Sequence, residues 1–212
     1  MARNKYPEVT IEKILDVAQR LFLEKGYDGT TIQDIVDELG GLTKGAIYHH
    51  FKSKEDIIDA LGDKMFFDNN PFDIVRKRKD LNGLEKMKMV IRLNQTNKES
   101  TEISRQSVPI LKNPRILAGM IESNQRILSP LWLEIIEEGN KDGSMNTEYA
   151  KELSEVFPLL SMWLIPSIFP ASLEEGLNKF SFIKKIFDSM GIPVFDDEIM
   201  EIIEQSFSSI TK

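Results

Sequence analysis

The chain has 212 residues, 41% hydrophobic and 29% charged, with 34 Asp+Glu against 27 Lys+Arg and no cysteine. That balance is enough for a sizeable core and excludes disulfides, thiol catalysis and cysteine-based zinc sites. A net charge of −7 disfavours nucleic-acid binding by the surface as a whole but leaves room for a local patch. No apolar run approaches the ~18 residues of a membrane span, and MARNKYPEVT lacks the apolar stretch of a signal peptide. A cytoplasmic protein with no membrane partner is expected.

Ile11, Ile14, Leu15, Ala18, Leu21 and Phe22 recur at helical spacing. They predict a first helix from near Thr10 to Gly26, a glycine stop. Thr30-Thr31-Ile32-Gln33 reads as a capping box, with Thr30 the cap and Gln33 reaching back. It opens a short second helix that buries Ile32, Ile35, Val36 and Leu39 and ends at Gly40-Gly41. Thr43 caps a third helix through about His50, with Ile47 and Phe51 facing inward. Ser53 caps a fourth, carrying Ile57, Ile58, Leu61 and Met65, which Pro71 interrupts. Three short helices, with a glycine turn between the second and third, make a helix-turn-helix. Further helices are expected near 82–98, 101–112, 114–138, 147–168, 172–190 and 196–210, with Gly139 and Gly143 punctuating one junction and Gly191 and Pro193 another. The whole reads as all-α.

From Leu39 to Lys54 there is no acidic residue, while three lysines and both histidines fall in that interval. Up to Glu55 the chain carries 8 basic and 9 acidic residues, so any affinity for phosphate there comes from placement rather than net charge. With Ile47 and Phe51 inward, Lys44, Gly45, Tyr48 and His49 share the outward side of the third helix. Gly45 costs helix stability, a cost that close approach to DNA would explain. A major groove ~12 Å wide admits one such helix. Tyr48 and His49 are placed to reach bases or backbone, and His50 and Lys54 to reach flanking phosphates. A solvated cationic helix end is the plainer alternative. Adjacent histidines project about 100° apart and do not chelate one ion, and no acidic ligand stands at metal spacing beside them. No nucleophile–base pair is apparent either, so neither metal, cofactor nor enzymatic activity is expected.

Residues 10–61, through ILDVAQRLFLEKGYDGTTIQDIVDELG and TKGAIYHHFKSKEDII, closely resemble the DNA-binding domain of the TetR/AcrR family of bacterial transcriptional regulators. The resemblance implies a homodimeric repressor whose third helix enters the major groove, relieved by a small ligand held in a helical C-terminal domain. It implies a DNA-binding domain over 1–55 and a ligand-binding and dimerisation domain over 56–212. Thr43, Lys44, Gly45, Tyr48 and His49 match the family's DNA-contacting positions, and Thr31, His50 and Lys54 its backbone-contacting ones. The turn departs from the family pattern. Where the family has one glycine, an apolar residue and a Ser/Thr cap, this chain has Gly40-Gly41-Leu42-Thr43, one residue longer.

Beyond residue 61 no motif is comparably specific. Candidate ligand-pocket residues are Met65, Phe66, Met89, Gln106, Met120, Asn124 and Trp132, chosen because methionine and aromatics adapt to a guest and a few polar groups orient it. Leu153 to Phe169 and the next helix are apolar on more than one face, which predicts burial on more than one side. Phe157, Leu160, Trp163, Leu164, Phe180, Ile183 and Phe187 are the candidate dimer contacts, with ordinary core as the competing reading. The ligand is an unknown small molecule. The main alternative is a DNA-binding dimer regulated by a protein partner.

Overall fold

The computed structural model describes residues 7–68, 70–96, 113–165, 168–169 and 172–210, side chains 7, 65–68 and 206–210 excepted. The described residues form α-helices and connections, without a strand. The helices divide into two compact units.

The first unit comprises α1 (Pro7–Lys25), α2 (Ile32–Leu39), α3 (Lys44–His50), α4 (Lys54–Asp68) and the start of α7 (Pro114–Ser123). Its core joins Ile14, Leu15, Leu21 and Phe22 of α1, Ile32 and Ile35 of α2, Ile47 and Phe51 around α3, Ile57 and Leu61 of α4, and Ile116. These are the apolar stripes expected from helical periodicity. α1 begins at Pro7, earlier than Thr10, and stops at Gly26, whose φ of 77° only glycine adopts readily.

The cap of α2 is displaced by one residue from the expectation. Thr31, not Thr30, is the N-cap: its Oγ1 accepts from the Asp34 amide at 3.1 Å, and Asp34 Oδ2 accepts from the Thr31 amide at 2.8 Å. Asp34 therefore takes the place assigned to Gln33. Thr30 is buried, and its hydroxyl donates to the carbonyls of Leu21 (3.1 Å) and Gly26 (2.8 Å), closing the end of α1. Two adjacent threonines offer the same side chain, and the tertiary fold decides which one faces inward.

The second unit contains α5 (Pro71–Arg76), α6 (Gly83–Thr96), the remainder of α7, a π-helical turn (Asn124–Leu128), α8 (Ser129–Asp142), α9 (Ala150–Trp163), α10 (Leu173–Ser189) and α11 (Asp197–Ile210). The sequence pattern does not predict α5; Asn70 caps it by accepting from the Phe72 amide at 3.0 Å, with Pro71 in the first helical position. The helix expected over 101–112 lies outside the described residues. The one expected over 114–138 is interrupted by the π turn and runs on to Asp142. Gly139 does not end it, because it is the seat of a close crossing: a Cβ on Gly83 would stand 2.3 Å from the Gly139 nitrogen. Chain reversal comes at Gly143, with φ 81°. A ladder of edge-to-face rings forms this core, with Trp132 centroids 4.7 Å from both Phe72 and Phe157, and Phe157 5.1 Å from Phe187.

Candidate nucleic-acid interface

α3 is positioned by its buried side and by both of its ends. Ile47 and Phe51 are buried in the first unit's core. Thr43 caps the helix, its Oγ1 accepting from the Ala46 amide at 3.2 Å. The preceding turn starts at Gly40, in the left-handed region with φ 60°. The opposite side of α3 is then fixed: Lys44, Gly45 and His49 are exposed, and Tyr48 is 46% exposed.

Among the described residues, Lys44 and Tyr48 make no side-chain hydrogen bond or ion pair, and the His49 ring meets only that of His50, 5.3 Å away and edge-on. Gly45 is informative by its freedom. A Cβ there would touch only Thr43 Oγ1, at an ordinary 3.8 Å, so the first unit does not require glycine at this position.

The remaining expected DNA contacts stand differently. The Thr31 hydroxyl is engaged with Asp34, donating to its Oδ2 and accepting from its amide. This hydroxyl, and next the Lys25 ammonium, hold the Asp34 carboxyl well below its ordinary range. His50 is half-buried. Lys54 is half-buried too, and its ammonium donates to the carbonyls of Tyr27 (2.7 Å) and Thr30 (2.9 Å) while lying 4.1 Å from the Tyr27 ring centroid. Burial first, and then the charge of Glu55, raise the Tyr27 phenol above its ordinary value, so the ring beneath Lys54 stays neutral. The structure thus brings Lys44, Gly45, Tyr48 and His49 onto one face, while the exposed Thr31 hydroxyl and the half-buried Lys54 ammonium are engaged in hydrogen bonds of the scaffold.

In the second unit, Trp132 is buried in the ring ladder. Asn124 is buried on the π turn, its Nδ2 donating to Met162 Sδ at 3.2 Å, a soft and weak acceptor. Met89 and Met120 are half-buried, and Arg78 Nη1 lies 3.8 Å from Met89 Sδ. Gln106 lies outside the described residues, as do the side chains of Met65 and Phe66. A cleft of about 400 Å³ opens elsewhere, over Phe72, Val75, Leu131 and Ile135, bordered by the Arg76–Glu134 and Lys86–Glu138 ion pairs. Nothing in the sequence pattern marks it, since its border comes from residues far apart in the chain.

Of the candidate dimer contacts, Phe157, Phe180, Ile183 and Phe187 are buried within the chain's own core, whereas Leu160, Trp163 and Leu164 are half-buried. Val156, Leu159, Leu160 and Trp163 fall on one stripe of α9 at helical spacing. Leu159 is 47% exposed, and Phe182 of α10, whose ring meets Trp163 edge-on at 5.9 Å, is 53% exposed. No helix among the described residues is long and apolar enough to cross a membrane.

Comparison with known proteins agrees with this arrangement. Residues 14–61 match the family of bacterial regulatory proteins of the tetR type. The chain is 29% identical over 163 residues to the HTH-type transcriptional repressor KstR2 of Rhodococcus jostii, an alignment spanning 72% of this chain and 76% of the relative. It is 48% identical over 48 residues to the IcaR negative transcriptional regulator of the Staphylococcus aureus biofilm operon icaADBC, covering 23% of this chain and 25% of that one. Salmonella enterica GusR superposes with a TM-score of 0.61 across 99% of both chains at 14% identity. A TetR-type regulator of Syntrophomonas wolfei gives 0.57 at 20% identity, over 99% of this chain and 96% of the other. At such identities the structural likeness is one of fold, while the helix-turn-helix match is one of sequence. The capped, outward-facing α3 and these matches together make the chain a DNA-binding regulator whose residues 14–61 form a helix-turn-helix domain of the tetR family type.

Proposed function

We propose that this chain is a ligand-responsive transcriptional repressor that docks as a homodimer on palindromic operator DNA, with α3 of each copy in a major groove. One observation carries the reading: Lys44, Tyr48 and His49 stand together on a face where the fold gives them no hydrogen bond or ion pair among the described residues. Gly45 sits on the same face without a packing reason. A helix that places a glycine where its own domain does not need one is suited to close approach by a duplex. Lys44 adds the phosphate attraction and Tyr48 the reach to base edges.

Two features of the second unit support the rest. The apolar stripe of α9 with Phe182 of α10 is the surface on which a second copy would pack, and two copies set two recognition helices about one helical turn (~34–36 Å) apart. Asn124, a buried amide that donates to the Met162 thioether, is a polar group that a guest with a better acceptor would satisfy. The repressor names of KstR2 and IcaR support the direction of regulation.

Fluorescence anisotropy on DNA from upstream of the chain's own gene, across a salt series, tests the reading. Wild type is expected to bind tightly and with steep salt dependence, covering an inverted repeat. Lys44→Ala/Tyr48→Ala is expected to lose selectivity between that site and random DNA, the tyrosine alone accounting for about 1–3 kcal/mol. Equal binding by both proteins would refute the assignment of α3.

A further inference from the structure

α3 is held between two junctions of different strength. On its N-terminal side the turn from α2 contains consecutive glycines, Gly40 and Gly41, and a Cβ on either would meet nothing within 4 Å. In that turn the Gly40 amide donates to the Val36 carbonyl at 3.3 Å, a bond that ends α2 without reaching α3. Such a turn adds little of its own to fixing the angle between α2 and α3, which is left to the packing of Ile35 and Ile47 and to the other end of α3.

On the C-terminal side the chain passes through buried Phe51 and enters α4 at Lys54. That entry is fixed locally: the Lys52 amide donates to Asp56 Oδ2 at 2.8 Å and the Asp56 amide to Ser53 Oγ at 3.1 Å. From there Lys54 reaches back to the loop between α1 and α2. Two of its three donors go to the carbonyls of Tyr27 and Thr30, and the ammonium lies over the Tyr27 ring. Charge-assisted bonds of this kind are the stronger ones, and the ring face adds a cation–π contact. Thr30 immediately precedes Thr31, the cap of α2, and its hydroxyl is tied to the end of α1.

We infer that Lys54 is a positioning residue for DNA recognition: its ammonium braces the exit of α3 to the entry of α2 and thereby sets the angle of the recognition face, instead of neutralising a phosphate. The glycine turn contributes little rigidity of its own, and Lys54 adds a tie at the other end of α3. This inference rests on the DNA-binding reading above.

The experiment uses the full chain, a duplex selected from random sequence by the wild-type protein, and a scrambled duplex of equal length. Lys54→Met removes the ammonium at similar length. Tyr27→Leu removes the ring beneath it and leaves the charge in place. Affinities are measured over a potassium chloride series, well below each protein's melting temperature, with amide exchange of residues 40–47 recorded without DNA. The expected result for Lys54→Met is an unchanged salt slope, about tenfold loss on the selected duplex, little loss on the scrambled one, and faster exchange in the turn and α3. Tyr27→Leu is expected to show the same pattern, smaller.

A phosphate contact gives a different outcome: the slope falls by about 0.9 per copy, both duplexes weaken alike, and Tyr27→Leu has no effect on binding. That result overturns the proposal. So does a lower melting temperature with affinity, selectivity and exchange unchanged, which would make the brace a matter of stability alone. If the wild type selects no duplex, the DNA-binding reading fails by itself, and unchanged exchange in Lys54→Met would then dismiss the brace independently.

Discussion

The outward face of α3 and the aromatic core of the second unit both carry aromatic side chains, yet their groups are satisfied in opposite ways. In the second unit, Phe72, Trp132, Phe157 and Phe187 are each covered by another ring. On α3, Tyr48 and Lys44 have no such partner among the described residues, and Gly45 leaves space unfilled. The ladder's interactions are made inside the chain and appear as stability. Those of the α3 face are withheld from folding and remain available to another molecule. Substitutions should accordingly separate the two regions, with stability changing in one and recognition in the other.

The strongest test of that separation is Trp132→Ala. Removing a 4% exposed indole from between two rings is expected to cost about 3–5 kcal/mol in urea unfolding followed by circular dichroism. A change below about 1 kcal/mol would show that the ladder is not the core of its unit. Between the two extremes lies the α9–α10 surface, where exposed apolar groups should report on association. Leu159→Asp with Phe182→Asp is expected to convert the proposed dimer into a monomer in sedimentation velocity while leaving the helical spectrum intact, since both side chains are about half exposed in one chain. An unchanged dimer would move the interface to another face.

Gly45→Ala gives a smaller effect but one with opposite signs in two assays. Alanine in a helix is favoured over glycine by about 1 kcal/mol, and the fold has room for the methyl group. The variant should melt higher and bind operator less well; tighter binding would argue against close approach of α3 to the duplex. Asp34→Asn should give the smallest change and sharpens the account of the scaffold behind that face. Asp34 is depressed in the folded chain, so its contribution is present above the ordinary carboxylate value of about 3.9 and is lost as pH falls through the lower folded value. The melting difference between wild type and variant should hold at neutral pH and narrow only in strong acid. A gap that persists there would place the effect in packing rather than in charge.

The legibility of this chain is uneven for physical reasons. Helical spacing locates Ile14, Ile35, Ile47 and Ile57, because an apolar residue every three or four positions marks the buried side of an amphipathic helix and suits no strand. The outward set of Lys44, Tyr48 and His49 follows by subtraction, since on a short helix the inward residues fix the outward ones. The cap of α2 is legible only to within one residue because Thr30 and Thr31 are chemically alike, and only the carbonyls of Leu21 and Gly26 distinguish them. Lys54 reads as a free cation in the sequence because its partners lie 24 and 27 residues earlier. Phe157, Ile183 and Phe187 read as a partner surface because an all-round apolar helix does not say which of its sides meets its own chain.

Periodicity, caps and one acid-free interval in an acidic chain are therefore enough to determine an all-α fold, a helix-turn-helix and the face it presents. Those signals are local, and local backbone and side-chain preferences generate them. The tertiary structure decided which threonine caps α2, that Gly139 is a crossing point and not a stop, where the second unit opens a cleft, and that Lys54 is committed to two distant carbonyls. Each of these depends on groups that only the folded chain brings together, and the energy of such a contact leaves no period in the sequence.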